Sequence, residues 1–261
     1  NALPNRIILW EFVNLIESDP ARRVKLRISY DRLAKLHPAD IADILEELSH
    51  NEQKALIESL DDETAAHALS EIPTKMQADL LESIPHEKAA DIVEEMPPDE
   101  AADVLNQLSP ETSAELLADM EKDEAKEVRE LLGFEENTAG SMMTTEYVVV
   151  HDSATVAGAI EALRNFEGPV EAVHQIYMID KEAVLAGAVA IGRIVLAAAS
   201  TPLVDLASES LISVQAQQSA RSVVDLFHKY NLMSLPVVDE ARHLLGIVTA
   251  DDVLELVINR K

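Results

Sequence analysis

Acidic side chains recur at regular spacing through the first half of the chain, and their chemistry is the first clue to function. One position in every twelve is mostly acidic: Asp43, Ala55, His67, Asp79, Asp91, Asp103, Glu115 and Glu127. Carboxylate oxygens are ligands for hard cations such as Mg²⁺ and Ca²⁺, and they also attract basic partners. A row of them along stacked helices forms a surface rather than a catalytic pocket. The pattern indicates binding of charge.

The net charge agrees with that interpretation. The chain has 261 residues and a formal charge of −27, and residues 31–134 alone hold 28 acidic against 8 basic side chains. Such an excess repels nucleic-acid phosphates and anionic membrane surfaces, so we expect no nucleic-acid partner. An acidic surface that only keeps the protein soluble is the alternative.

The sequence lacks the residues that several other classes of protein function require. The chain has no cysteine, which excludes disulfides, thiol catalysis and thiolate metal sites. We find no nucleophile–base pair, phosphate-binding glycine loop or catalytic metal triad, so we predict a protein that is not an enzyme. The longest apolar stretch, 183–199, contains two glycines and Arg193 and is too short for a transmembrane helix. A buried strand followed by a helix explains it better.

The elements that must carry the acidic row follow the same period of twelve. An apolar residue closes each step: Leu48, Leu60, Ile72, Ile84, Met96, Leu108, Met120 and Leu132. Prolines follow many of these residues, and a small residue from Ala66 to Ala114 stands six positions before most of them. Proline ends one helix and begins the next, so each repeat predicts one short helix that is stable only when stacked. We predict an all-α superhelical array over 31–133, preceded in 1–30 by an extended arm or the tail of an upstream domain.

After a junction at 134–145 the sequence changes to strands alternating with helices. The stretch YMID ending at Asp180 matches PVVD ending at Asp239 at an offset of 59, and Gly187 matches Gly246 at the same offset. This predicts a tandem β-α-β-β-α module, with one copy in 134–200 and the other in 201–259. The whole chain is thus predicted to be multidomain, α followed by α/β.

Two stretches of the second copy resemble CBS domains, namely LPVVD at 235–239 and LGIVTADDVL at 245–254. TAGSMMT at 138–144 and the acidic repeats, including LHPADIADIL at 36–45, resemble the superhelical N domain of the MgtE magnesium channels. The combination is more specific than either half. It resembles the cytosolic region of such a channel, a superhelical N domain followed by a tandem CBS pair.

The resemblance implies a Mg²⁺-sensing regulatory region on the cytoplasmic face of the cell membrane. It implies a homodimer formed through the CBS domains and a transmembrane pore domain after Lys261. In that family Mg²⁺ held at the acidic interfaces of the N and CBS domains favours the closed channel, and at low Mg²⁺ the carboxylates repel one another and the domains separate.

The resemblance also selects candidate metal ligands. Asp99 and Asp103 match N-domain carboxylates that face the CBS domains, and they lie four positions apart on one predicted helix face. Asp252 and Glu255, which share a face of the last predicted helix, match acidic positions that bind Mg²⁺ near the pore. The alternative for both pairs is an ordinary helix start, where acids are favoured.

Two positions depart from the family pattern. His67 stands where the N domain can have a Glu, and Asn231 stands where an Asp can serve as ligand. Neutral histidine is a poor Mg²⁺ ligand, and asparagine offers only its amide oxygen. Some ion sites are therefore expected to be lost or weakened.

An adenine nucleotide is a second possible ligand. CBS pairs often hold ribose hydroxyls with a Thr or Ser and an Asp three positions later, a pattern that Thr249 and Asp252 fit. The first copy has Ala190 and Arg193 instead, so at most one such site is intact. A free-standing nucleotide sensor and a helical scaffold for a basic partner remain the alternatives to Mg²⁺ sensing.

Overall fold

The computed structural model describes residues 16–18, 24–26, 36–208 and 211–259. Within these ranges the description excludes the side chains of 16–18 and 24–26 and those of Glu171, Glu255, Ile258 and Asn259. The chain divides into two compact units. One holds the residues up to Met96 together with Val104–Glu121, and the other holds Pro97–Asp103 together with Lys122 onward.

The repeats form a series of short helices, as the period of twelve predicted. They are α1 (Pro38–Glu47), α2 (His50–Ile57), α3 (Asp62–Ser70), α4 (Thr74–Ser83), α5 (His86–Glu94), α6 (Pro98–Gln107), α7 (Pro110–Asp119) and α8 (Lys122–Leu131). In the first unit alternate helices pack together, α1 on α3, α3 on α5, and α5 on α7. Among the described residues no helix combines the length and apolar character of a bilayer span.

The period of twelve has a physical cause in the corners between helices. The apolar residue that closes each step follows the end of a helix, and it is buried at each step from Leu60 to Met120. A polar cap begins some of the helices, as where Asp61 Oδ1 accepts from the Thr64 amide at 3.0 Å, and a proline precedes α4 and α5. The recurring small residue of the repeat, which is expected to pack between helices, is buried from Ala66 to Ala102, but Ala114 is exposed. A single exposed methyl group costs little, so the fold tolerates this exception.

Two lysines join helices that are distant in sequence. Lys54, which stands in place of the recurring small residue, donates to the Ser83 carbonyl at the end of α4. Lys88 donates to the Leu60 carbonyl at 2.7 Å and to Asp62 Oδ1 at 2.6 Å. The ammonium group of Lys54 thus satisfies a carbonyl that has no partner in an ideal helix end, and that of Lys88 holds the corner between α2 and α3.

The described strands form three small sheets. In the first unit β1 (Ile16–Ser18) pairs antiparallel with β2 (Val24–Leu26). In the second unit one sheet has the order β3 (Val149–His151), β4 (Gln175–Ile179), β5 (Leu185–Ala190), and the other has β6 (Val214–Gln215), β7 (Ser234–Val238), β8 (Leu244–Thr249). In both of these the first pair is parallel and the second antiparallel, with a register shift before the last residue of the central strand. The helices are α9 (Val156–Arg164), α10 (Ile191–Leu196), α11 (Ala220–Tyr230) and α12 (Ala250–Asn259).

The junction segment packs on the second copy of the module rather than on the first. Gly140 N–H donates to the Ala216 carbonyl at 2.9 Å. Farther along, Thr144 and Ile247 exchange backbone hydrogen bonds at 2.8 and 3.0 Å. The segment therefore runs beside β8, which leads directly into α12.

Most predicted strands and helices lie within one or two residues of their observed bounds. The sequence pattern also predicts a strand at 211–214, but the observed strand begins at its last residue, because only Val214–Gln215 pairs with β7. The sequence pattern predicts a further strand at 7–9, which lies outside the described residues, and it does not predict the observed strand Ile16–Ser18.

The β4–β5 and β7–β8 hairpins share a strained turn. Ala183 has φ 62° and its counterpart Arg242 has φ 70°, in the left-handed region that disfavours a Cβ.

We expect Ala183→Gly to raise the free energy of unfolding by about 0.5–1 kcal/mol, since relief of strain exceeds the added entropy of the unfolded chain. Urea denaturation measures it. Ala157→Gly, at an exposed site in α9, is the control and should lower stability by about 1 kcal/mol. Equal losses in both variants would contradict the strain.

Candidate functional site

Asp99 lies in the first turn of α6, in the part of that helix that belongs to the second unit. Its Oδ1 atom is fully buried and has no hydrogen-bond partner among the described residues. Burial raises the pKa of Asp99 well above its usual range, and the charges of Asp252 and Glu100 raise it further. Only a backbone hydrogen bond and a hydrogen bond from Thr144 oppose these effects. A buried carboxylate next to other carboxylates is costly without a cation.

Thr144 holds this carboxylate from the junction segment. Its side chain is buried, and its Oγ1 accepts from the Glu146 amide at 3.3 Å, which leaves the hydroxyl hydrogen for Asp99. The backbone hydrogen bonds with Ile247 fix Thr144 against β8. Sequence reasoning did not select Thr144. The only signal was its place in the TAGSMMT stretch.

Asp252 lies in the first turn of α12, immediately after β8. Its Oδ2 accepts from the Thr249 amide at 2.6 Å and from the Thr249 hydroxyl at 2.9 Å. The Asp252 amide lies 3.4 Å from Thr249 Oγ1, so the two residues form a capping box. β8 thus positions both carboxylates. It holds Asp99 through Thr144, which lies beside the strand, and it holds Asp252 through α12, which begins where the strand ends.

A second carboxylate pair lies close to Thr144. Thr145 Oγ1 donates to Glu127 Oε2 at 2.7 Å, which fastens α8 to the junction segment. Burial, and secondarily the charge of Glu127, raises the pKa of Glu146. The neighbourhood of Asp99 is therefore acidic on the side of α8 as well.

A cavity of about 240 Å³ opens between the two sheets of the second unit. It is lined by His174, Gln175, Ala190, Ser208, Leu211, Ile212, Asn231, Leu232, Met233 and Ser234. Gln175 Nε2 donates to Tyr177 Oη at 2.8 Å and to Ser234 Oγ at 3.1 Å, and Tyr177 Oη donates to Ser234 Oγ at 3.0 Å. Neither Thr249 nor Asp252 lines this cavity, but Ala190, the counterpart of Thr249 at the offset of 59, does.

Comparison with known proteins identifies both halves of the chain. The MgtE intracellular N domain matches residues 36–137, and a CBS domain matches residues 203–259. A similar solved structure is the crystal structure of the cytosolic domain of the Mg²⁺ channel MgtE in complex with ATP. Its sequence is 30% identical to this chain, and the two structures match with a TM-score of 0.83 over 87% of this chain and 93% of that one. The chain belongs to the MgtE family.

Further comparisons agree with this result. The soluble part of a magnesium transporter is 29% identical with a TM-score of 0.68, over 88% of this chain and 95% of that one. The magnesium transporters MgtE of Enterococcus faecalis and Thermus thermophilus are each 34% identical, over 52% and 50% of this chain. These matches span only 30% and 29% of the two relatives, so the chain corresponds to less than a third of their length. The superhelical array followed by a CBS pair is the fold of the MgtE cytosolic domain.

The other residues that the MgtE resemblance selected lie in different surroundings. Asp103, one turn beyond Asp99 on α6, is exposed. Asn231 ends α11 in the left-handed conformation with φ 51° and lines the cavity. His67 is exposed on α3, and the side chain of Glu255 lies outside the described residues. Of the predicted ligands, Asp252 is the one whose charge raises the pKa of Asp99. The assignment of these side chains as ligands stays a prediction.

The buried Tyr177 makes the MgtE-type CBS pair sensitive to alkali. Burial raises the pKa of Tyr177 to about 12, although its hydrogen bonds with Ser234 and Gln175 lower it. This pKa lies above the unfolded value of about 10. The stabilisation that protonated Tyr177 contributes to the folded state is therefore complete below pH 10 and is lost as the pH rises toward 12. We expect the free energy of unfolding to fall by about 2–3 kcal/mol over that range.

Ultraviolet titration of tyrosinate together with urea denaturation measures this loss. Tyr177→Phe should remove most of the dependence between pH 10 and 12. Tyr230→Phe, which changes a tyrosine that is 45% exposed, is the matched control and should keep it. An unchanged profile in Tyr177→Phe would contradict the assignment.

Proposed function

We propose that the chain is the Mg²⁺-sensing regulatory region of a divalent-cation transporter. One observation carries the proposal: the buried Asp99 oxygen without a partner lies close enough to Asp252 for the charge of Asp252 to raise the pKa of Asp99. Carboxylate oxygens are the donors that a hard divalent cation prefers, so the residues present fit Mg²⁺. The ion would supply positive charge that lets both groups ionise side by side.

Regulation follows from a difference in affinity between two states. An ion that binds Asp99 and Asp252 only when α6 and α12 are held together shifts the population toward that arrangement. Without the ion, repulsion between the carboxylates favours separation. In this proposal the arrangement with Mg²⁺ corresponds to the closed state of a channel, as the family resemblance implies. Asp103 and Glu255 would be additional ligands on the same two helices, and Asn231 a weaker one elsewhere.

Calorimetric titration with MgCl₂ tests this proposal. We expect the wild type to bind Mg²⁺ and to become more compact in small-angle scattering, and Asp99→Asn to lose that binding component. Glu87→Gln, at an exposed acid in the first turn of α5, is the matched control and should bind as the wild type does. A titration without heat, or equal heats in the wild type and Asp99→Asn, would contradict Mg²⁺ binding at Asp99.

The second candidate function is adenine-nucleotide sensing, which the cavity between the sheets favours. One similar MgtE cytosolic domain is described in complex with ATP. The sequence selected Thr249 and Asp252 for this role, but in the structure these residues form the capping box of α12. We therefore place a nucleotide in the cavity at Ala190.

An ATP titration of two matched variants distinguishes the two positions. Ala190→Leu fills the cavity, and Thr249→Val alters the equivalent position of the other copy. We expect only Ala190→Leu to weaken ATP binding. Loss of ATP binding in Thr249→Val alone would indicate that the nucleotide binds at Thr249 and Asp252, as the sequence predicted. Absence of ATP binding to the wild type would exclude this function.

A homodimer through the CBS pair completes the proposal. Val195 on α10 and Leu254 on α12 occupy equivalent positions at the offset of 59, and they are 74% and 57% exposed. Exposed apolar residues at matching positions fit a second copy of the module. Light scattering should report a dimer in the wild type and a monomer in Val195→Glu/Leu254→Glu. The remaining partner we propose is the membrane-embedded part of the transporter.

A further inference from the structure

A cluster of three polar side chains, Gln175, Tyr177 and Ser234, lies at the wall of the cavity between the two sheets. Gln175 and Ser234 line the cavity and occupy equivalent positions of the two copies at the offset of 59. Gln175 Nε2 lies 2.8 Å from Tyr177 Oη and 3.1 Å from Ser234 Oγ, and these two oxygens are 3.0 Å apart. The three atoms therefore form a closed triangle that joins the two copies.

This triangle determines which end of the Gln175 amide turns toward it. The amide nitrogen donates along two sides of the triangle, and the Tyr177 hydroxyl donates along the third. A reversed amide would place an oxygen there, and the two hydroxyls would then supply only two hydrogens for three contacts. One bond would be lost, at a cost of about 0.5–1.5 kcal/mol. Water cannot readily replace it, because Tyr177 and Ser234 are only 1% and 6% exposed.

The carbonyl end of the Gln175 amide is left for a ligand. Its Oε1 atom accepts no hydrogen bond among the described residues, and it is accessible rather than enclosed by protein. Leu211, Ile212 and Leu232 line the same cavity and provide apolar surface for a flat ring. None of the described residues that line the cavity is a lysine or an arginine, so the cavity suits the base of a nucleotide better than its phosphates.

We propose that Gln175 is a specificity-determining residue, whose Oε1 accepts a hydrogen bond from the amino group of an adenine base, and that Tyr177 is the positioning residue that holds the amide in this orientation. The inference rests on the proposed nucleotide site in the cavity. A base without the amino group would bury Oε1 without a partner, and a site built around such a hydrogen bond rejects a ligand that lacks it.

Calorimetric titrations of the whole chain with adenosine and with purine riboside, which carries hydrogen in place of the amino group, test this. We expect the wild type to bind adenosine about tenfold more tightly. Gln175→Met keeps the length of the side chain without the amide oxygen, and it should bind both ligands alike. Tyr177→Phe keeps Gln175 but removes its anchor, and it should reduce the ratio to about threefold or less. Gln217→Met makes the same change as Gln175→Met at an exposed site outside the cavity lining, and it should keep the wild-type ratio.

The ratio of the two affinities separates base recognition from general damage to the fold, which would weaken both ligands equally. If ATP and both nucleosides fail to bind the wild type, the proposed nucleotide site is wrong. If ATP binds but the wild type does not prefer adenosine to purine riboside, the nucleotide site remains and the role of Gln175 is wrong. An unchanged ratio in Tyr177→Phe would refute the positioning role. If Tyr177→Phe does not fold, Ser234→Ala, which removes another corner of the triangle, decides in the same way.

Discussion

Replacing Asp99 with asparagine should stabilise the ion-free protein while removing its response to Mg²⁺. Most substitutions of a buried residue destabilise, so the expected sign is unusual. In the ion-free protein the buried carboxylate lies near the charges of Asp252 and Glu100, and its Oδ1 has no hydrogen bond among the described residues. The neutral amide has nearly the same shape but no charge to bury. We expect the free energy of unfolding to rise by about 1–3 kcal/mol at neutral pH.

The pH dependence gives this prediction a second signature. The folded pKa of Asp99 is raised, so its stabilising contribution is complete below the unfolded value near 4 and is lost as the pH rises through the folded pKa. The ion-free wild type should therefore lose stability with rising pH in that window, and Asp99→Asn should lose less. Mg²⁺ should reverse the loss in the wild type only, because the ion binds the ionised carboxylate.

Urea denaturation with chelator and with MgCl₂, at several pH values, measures all three effects. Glu87→Gln removes an acid from the equivalent first-turn position of α5, twelve residues earlier, and should show none of them. If Asp99→Asn destabilises the ion-free protein and leaves the Mg²⁺ response intact, Asp99 is an ordinary acid at a helix start.

Replacing Gly246 with alanine should damage both the fold and the site. A Cβ at Gly246 would lie 2.7 Å from the Thr144 carbonyl oxygen and 2.8 Å from Met143 Sδ. The backbone oxygen cannot move without breaking the hydrogen bonds between Thr144 and Ile247, so we expect a loss of about 1–3 kcal/mol. Because Thr144 holds Asp99, the affinity for Mg²⁺ should fall as well, by about tenfold.

The first copy of the module supplies a matched control. Gly187 is the counterpart of Gly246, and its added Cβ would meet Met178 Cε at 2.6 Å, the flexible end of a side chain. Gly187→Ala should therefore be milder, with normal Mg²⁺ binding. Urea denaturation of the two variants measures the loss of stability, and calorimetry measures the change in Mg²⁺ affinity. Equal effects of both on stability and on Mg²⁺ affinity would show that the contact with Thr144 has no special role.

Local patterns in the sequence predicted most of the fold. The period of twelve predicted the helices from Pro38 to Leu131, because each apolar residue, proline and cap acts within one turn of its own position. The offset of 59 predicted the two equivalent sheets, because alternation and turn residues are also local. The strand at 211–214 was predicted too long, because only pairing with β7 decides where a two-residue strand begins.

The candidate site depended on contacts that no local pattern contains. Asp99 and Asp252 are separated by 153 positions, and their proximity arises because β8 holds the junction segment on one side and begins α12 at its end. Thr144 was overlooked, since a threonine in a connecting segment has no periodicity to reveal its role. The pattern of Thr249 and Asp252 fits a ribose site and a capping box equally well, and only the 2.6 Å bond to the Thr249 amide identified the capping box.

The sequence by itself thus determined the family, the helical repeat, the duplicated module and the kind of side chain that could bind a cation. Tertiary structure decided which carboxylate is buried within the influence of another, and that Ala190 rather than its counterpart Thr249 lines the cavity. The physical reason is the separation along the chain over which each kind of interaction acts. Helix periods, caps and turns act over a few residues, whereas the burial and mutual repulsion that single out Asp99 exist only after distant segments have packed together.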